Sequence, residues 1–262
     1  MNLNQENTIK RIIYKSCIQI HPMEEVTISQ IKEVNRKASV NYPWSAKYIF
    51  APLSVYFTKP FINVHPNIMT FIMIIIGISS LPFFFLGGYW NILIGVFLLY
   101  TYVIFDGVDG NIARVMDKKS MRGKYLDFIP TIIVNPLVFV TLGFGSFHLT
   151  GNLNYILLGF SAGFFYLAKE PARLFRYLMI QELGLKEKSA YMTNKKSTLV
   201  KLNEYSSIIF DYHGVMNIIL FFAIFNMSKY LVIFYGLTMP FIFISRAVYE
   251  FYFWKRKDLN KK

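Results

Sequence analysis

Cysteine is all but absent from this chain, and acidic residues are scarce. The one cysteine, Cys17, excludes an intramolecular disulfide and offers no metal-ligand spacing. No apolar stretch interrupts the polar, mixed first 45 residues, so no cleavable signal peptide is expected. Internal repeats and low-complexity tracts are missing too. Asp and Glu number 15 against 28 Lys and Arg, and no charged residue of either sign falls between Phe61 and Phe105. Residues 128–169 again contain neither Asp nor Glu. What fills these gaps is apolar: 54% of the 262 residues are hydrophobic and 18% aromatic, too greasy for an ordinary solvated domain.

A bilayer core of ~30 Å needs about 20 apolar residues per helix. Windows at 67–87, 90–113, 124–148, 153–176, 205–226 and 230–253 meet that need. The expected fold is therefore all-α: a polytopic membrane bundle of six transmembrane helices. Of the 28 basic residues only Lys229 falls on the far side of these spans, which places both termini in the cytoplasm. The net charge of +13 then reads as topology signal and attraction to anionic membrane lipids. Nucleic acid is not an expected partner, because the basic residues flank spans and form no separate basic domain.

Three regions follow. Residues 1–45 form a cytoplasmic segment, in which "ISQIKEVNRKASV" sets apolar positions 28, 31 and 34 opposite basic ones, as a helix lying on the membrane surface would. Residues 46–254 form the membrane domain. It opens with an apolar stretch, 46–62, that Pro52 and Pro60 break into an interfacial or re-entrant segment. Pro66 then sits at the start of the first true span, where a helix tolerates it. A polar loop covers roughly 182–204, and residues 255–262 are a basic cytoplasmic tail.

The chemistry concentrates in "FDGVDGNIARVMDKKSMRGKYLDFIPT", residues 105–131. Asp106 and Asp109 stand at i and i+3, on one face at the cytoplasmic end of the second span. Gly123 and Asp127, at i and i+4, open the third. A short loop joins the two helix ends, so three carboxylates can converge from two helices. Hard oxygen ligands at this density suit Mg²⁺ or Mn²⁺, whose charge would cancel their mutual repulsion. Gly107 and Gly110 clear side chains from the backbone, and Arg114 follows as a fixed cation. Glycines, a metal and an arginine together describe a site for a diphosphate. Ionisable groups at a membrane boundary are functional candidates by default.

The spacing has a known counterpart. Asp106, two residues, Asp109-Gly110, two residues, Ala113-Arg114, eight residues, Gly123, three residues, Asp127, three residues and Thr131 resembles the signature of the CDP-alcohol phosphatidyltransferases. That signature ends on a fourth aspartate where this chain has Thr131. The resemblance covers roughly residues 46–254. It implies a Mg²⁺- or Mn²⁺-dependent transfer of a phosphoalcohol group from a CDP-alcohol donor to an acceptor hydroxyl, with release of CMP, in phospholipid or related polar-lipid synthesis. It also implies a homodimer with its site facing the cytoplasm. Carried over by position, Asp106, Asp109 and Asp127 would hold the metal. Gly110, Ala113, Arg114 and Gly123 would shape the cytidine diphosphate pocket, with Gly107 beside them and Asn67 and Thr70 at its border.

Thr131 is the departure. In the family the fourth aspartate is the proposed general base. A threonine hydroxyl cannot take a proton near neutral pH, and it is a weak metal ligand beside a carboxylate. Thr131 is i+4 from Asp127 and shares its helical face. Because residues 128–169 hold no Asp or Glu, no shift of alignment restores the pattern. Three accounts stand open. Another group serves as base, with Asp211 and His213 near the cytoplasmic end of the fifth span and Glu170 near that of the fourth. Glu170 reads more readily as a partner for Arg173 or Lys169 than as a base. Alternatively, one metal suffices with an already acidic acceptor. Or the chain has lost turnover and kept nucleotide or lipid binding. Pro130 and Pro136 are expected to kink the third span beside this position.

Overall fold

The computed structural model describes residues 26–42, 45–118, 120–182, 209–210 and 212–259, and no strand occurs among them. Asp211, residues 183–208, where the polar loop is expected, and the ends of the chain lie outside the described residues. Eight α-helices follow in order: α1 (Ile28–Ala38), α2 (Ala51–Thr58), α3 (Pro66–Leu86), α4 (Tyr89–Val115), α5 (Met121–Thr150), α6 (Asn154–Glu182), α7 (Tyr212–Ile224) and α8 (Ser228–Leu259). The proline-broken stretch at 46–62 becomes a π-helical turn, Ala46–Phe50, then α2 and a 3-10 turn, Lys59–Phe61. None of these pieces is long enough to cross a bilayer.

Helix ends obey local rules. α1 starts in a capping box: Thr27 Oγ1 accepts from the Gln30 N–H at 3.3 Å, and Gln30 Oε1 accepts from the Thr27 N–H at 2.8 Å. Along its exposed face Lys37 donates to Glu33 at 2.8 Å, which holds the Glu33 carboxyl below its usual range. α3 opens with Pro66 in its first turn, and His65 Nδ1 accepts from the Asn67 N–H at 3.2 Å. Ser120 caps α5 by accepting from the Gly123 N–H at 2.9 Å. Between α3 and α4 the chain turns on Gly87 and Gly88, both at positive φ (68° and 80°). A side chain at Gly87 would run into the carbonyl of Gly145 on α5, so that turn is wedged against its neighbour.

Four helices are long and apolar enough to cross a membrane: α3, α4, α5 and the Ser228–Phe251 part of α8. The chain is thus an integral membrane protein by composition and by helix length. The expected fourth and fifth spans fall short of that standard among the described residues. Lys169 and Glu170 interrupt the apolar run of the 29-residue α6, and α7 is described over only 13 residues. α5 runs unbroken from Met121 to Thr150 with Pro130 and Pro136 inside it.

α3 packs on α4 and α5, α5 on α6, and α6 on α8, while α4 also carries α2 and α7. The core runs through Phe84, Leu99, Tyr102, Val138, Leu142, Tyr166 and Tyr235. Outward-facing positions such as Phe71, Trp90, Phe97 and Phe241 are apolar as well, as lipid contact requires. α1 departs from expectation. It does not merely lie along the membrane: it sets Ile31 and Asn35 into the bundle against α2 and α4.

Candidate metal and diphosphate site

The carboxylates meet where the end of α4 passes the start of α5. Asp106 is half-buried, Asp109 is 6% exposed and Asp127 is open, and one carboxylate oxygen from each lies within 4.8 Å of the other two. Thr70, one turn into α3, donates to Asp109 Oδ2 at 2.6 Å and to the Pro66 carbonyl at 3.1 Å. That shared hydroxyl fixes the orientation of one carboxylate from outside the pair of helices that carry the cluster. Three hard oxygen donors so close together, from two helices, fit a divalent cation of the Mg²⁺ or Mn²⁺ kind.

Two cavities flank the cluster. One, of about 410 Å³, is lined by Asn67, Thr70, Ala113, Lys118, Ser120 and Gly123; we call it the loop cavity. The other, of about 330 Å³, is lined by Phe50, Tyr102, Thr131, Tyr166, Glu170, Tyr212 and His213; we call it the aromatic cavity. Asp109, Gly110, Arg114 and Asp127 border both, whereas Asp106 and Gly107 border the aromatic cavity. The structure therefore brings together every motif residue singled out from the sequence, but it sorts them to two sides. His213 reaches the aromatic cavity, where its ring lies 5.4 Å from Phe50 and 4.9 Å from Tyr212. Asp211 is outside the described residues.

The two central glycines differ in use. A Cβ at Gly107 would stand 2.6 Å from Ser54 Cβ, so this glycine admits helix α2 rather than a ligand. Gly110 lies beneath the Arg114 guanidinium, with Nη2 3.0 Å from where a Cβ would be.

Sequence reasoning missed the group that holds Arg114. Arg114 Nη2 donates to Asn111 Oδ1 at 3.1 Å, and Asn35 Nδ2 of α1 donates to the same oxygen at 3.0 Å. Asn111 Nδ2 in turn donates to Ser54 Oγ (3.1 Å) and Thr58 Oγ1 (3.2 Å) on α2. Asn35, Ser54, Thr58 and Asn111 are all buried. One signal was available: Asn35 stands at i+4 from Ile31, a polar residue on the apolar stripe of α1.

These features define a class of site: an acidic cluster at the ends of apolar helices, between two cavities, with a fixed arginine at their border. Residues 63–227 match the family model described as CDP-alcohol phosphatidyltransferase. The chain belongs to that family. Its members transfer phosphoalcohol groups from CDP-alcohols to acceptors in membrane lipid synthesis, typically with a divalent metal. Among curated proteins none matches the chain.

Proposed function

We propose that this protein is an active CDP-alcohol phosphotransferase that moves a phosphatidyl or similar phosphoalcohol group to an acceptor hydroxyl and releases CMP. The observation that carries this reading is the placement of the carboxylate cluster between two cavities that share Asp109, Gly110, Arg114 and Asp127 as their common wall. A transfer between two substrates needs a binding volume on each side of the reacting phosphorus. In this reading the loop cavity takes the cytidine diphosphate. Asn67, Thr70, Gly110, Ala113, Arg114 and Gly123 border it, the last beside the N-terminus of α5, and Lys118 adds positive charge. The aromatic cavity, with Thr131 and Gly107 in its wall, takes the acceptor.

Asp106, Asp109 and Asp127 would hold Mg²⁺ or Mn²⁺, which when bound neutralises diphosphate charge and steadies the departing phosphate. The side chains supply positioning. Thr70 orients Asp109, and Asn111 with Asn35 holds Arg114 at the border of both cavities. The acceptor oxygen attacks the phosphorus that bears the donor's alcohol, a new P–O bond forms as the acceptor hydroxyl gives up its proton to a base on its side of the site, and the P–O bond to CMP breaks with its electrons leaving on CMP. Such a displacement is driven chiefly by alignment and charge compensation.

The same reading includes six spans, with α6 and the apolar window at 205–226 as the fourth and fifth, both termini and the site in the cytoplasm, and, as the family resemblance implies, a membrane domain at 46–254 and a homodimer. One observation favours a second reading. Thr131 stands where the family has its last carboxylate, as a binder of nucleotide or lipid without turnover would allow.

CMP release separates the two. Purified protein in detergent is given Mg²⁺ or Mn²⁺ with CDP-diacylglycerol, CDP-choline or CDP-ethanolamine, each against glycerol 3-phosphate, inositol phosphate, serine and diacylglycerol. Release that disappears in Asp109→Asn supports the transferase. Silence with metal-dependent CDP binding supports the binder, and absence of CDP binding sinks both.

A further inference from the structure

The transfer liberates a proton from the acceptor hydroxyl, and some group on the acceptor side has to take it. The clustered aspartates are engaged with one another and with Thr70. Thr131 offers only a hydroxyl. Across the aromatic cavity the wall is α6, and α6 carries a carboxylate there: Glu170, 5% exposed, which lines the same cavity as Asp106, Asp127 and Thr131.

The helix register puts Glu170 level with Thr131. α5 and α6 are joined by a short connection and cross at Gly143 and Gly159, where a Cβ on Gly159 would fall 2.9 Å from Gly143 Cα. One turn on, Gly163 lies against the Pro136 carbonyl, 2.7 Å from a would-be Cβ. Counted from the glycine crossing toward the motif end, Thr131 on α5 and Glu170 on α6 are each about three turns away. Tyr166 fixes the rotation of α6. Its ring packs on Phe139 of α5 at 5.6 Å and lines the cavity, and Glu170 follows it at i+4 on the same face. Lys169 Nζ donates to the Phe210 carbonyl at 2.8 Å and lies 3.6 Å from the Tyr166 ring centre, which ties this turn of α6 to the segment before α7.

We propose that Glu170 takes the proton of the acceptor hydroxyl, as a carboxylate supplied by α6 at the level where α5 carries Thr131, with the acceptor alcohol bound in the aromatic cavity. The inference rests on the transferase reading above. In the step, the acceptor O–H bond gives its proton to the Glu170 carboxylate as the oxygen bonds to phosphorus and CMP departs. The carboxyl then returns the proton to water when product leaves. An ionisable side chain set into a membrane bundle and facing a cavity is a functional candidate by default.

The test relocates the carboxylate. Full-length native protein, Glu170→Gln, Thr131→Asp/Glu170→Gln and His213→Gln are compared by CMP release with the donor and acceptor panel above. CDP binding in Mn²⁺ and the thermal midpoint in detergent are measured beside it. The expected result is a kcat at least about 100-fold lower in Glu170→Gln, with CDP affinity within about twofold of native. Adding Thr131→Asp should recover about tenfold or more, because it returns a carboxylate to the same level from the facing helix. Four outcomes overturn the proposal: Glu170→Gln keeps a third or more of native turnover; it loses CDP binding and thermal stability together; relocation gives no recovery; or His213→Gln alone produces the kcat loss. A native protein that binds CDP but turns over no pair overturns the transferase reading first, and this inference with it. An active native protein with an active Glu170→Gln overturns only the inference.

Discussion

Replacing Asn111 by aspartate changes one NH₂ group to an oxygen and leaves the shape of the side chain intact, yet the structure predicts a large loss of stability. Asn111 is fully buried and makes four hydrogen bonds. Its Oδ1 accepts from Asn35 and Arg114, and its Nδ2 donates to Ser54 Oγ and Thr58 Oγ1. Those two hydroxyls cannot reverse roles cheaply. Ser54 Oγ already donates to the Ala51 carbonyl at 2.9 Å, and Thr58 Oγ1 to the Ser54 carbonyl at 2.6 Å. An aspartate would therefore face two lone pairs with an oxygen of its own. Two lost bonds at about 1 kcal/mol each, plus about 1–3 kcal/mol for a buried acceptor left unmatched, outweigh about 1 kcal/mol returned by Arg114. The net loss is about 3 kcal/mol. At about 2–4 °C per kcal/mol for a chain of this size, the thermal midpoint should fall by about 6–12 °C, read by tryptophan fluorescence in detergent. Asn35→Leu is the matched control: Asn111 Oδ1 keeps Arg114, so the cost should stay near 1 kcal/mol. An Asn111→Asp midpoint within about 1 °C of native would refute the assigned donor directions and the network built on them.

Two further substitutions test the site from other sides. Thr70→Val preserves shape but removes the 2.6 Å donor to Asp109, and Mn²⁺ affinity measured by titration should drop about 10-fold or more; unchanged affinity would mean that Thr70 does not orient the carboxylate. Gly107→Ala should push α2 off α4 at a cost of about 1–3 kcal/mol, visible as a lower thermal midpoint.

The first three apolar windows became α3, α4 and α5 with ends within three residues of expectation, because burial and helix length obey one-dimensional rules, whereas α6 and α8 run six residues past theirs. The aspartate spacing likewise translated directly into a cluster, since i and i+3 on one helix and a short loop to the next leave little freedom. Other features did not pass through so simply. The stripe at 28, 31 and 34 identified α1 as amphipathic but not its docking. Asn35 meets Asn111 across 76 residues of sequence, and no local periodicity encodes that encounter. Asp127 and Glu170 resemble each other as isolated carboxylates near helix ends. Only the α5–α6 crossing at Gly143 and Gly159 sets Glu170 level with Thr131, and only the packing of seven helices, α1 to α7, around the cluster gives it a cavity on either side.

The sequence by itself determined an all-helical membrane chain, the convergence of Asp106, Asp109 and Asp127, and the absence of a carboxylate at position 131. Tertiary structure alone decided which distant groups complete the site: Asn35 behind Arg114, Thr70 behind Asp109, and Glu170 across from Thr131. The physical reason is that helix formation and local spacing depend on neighbours along the chain, whereas helix crossings depend on close backbone approach between segments far apart in it.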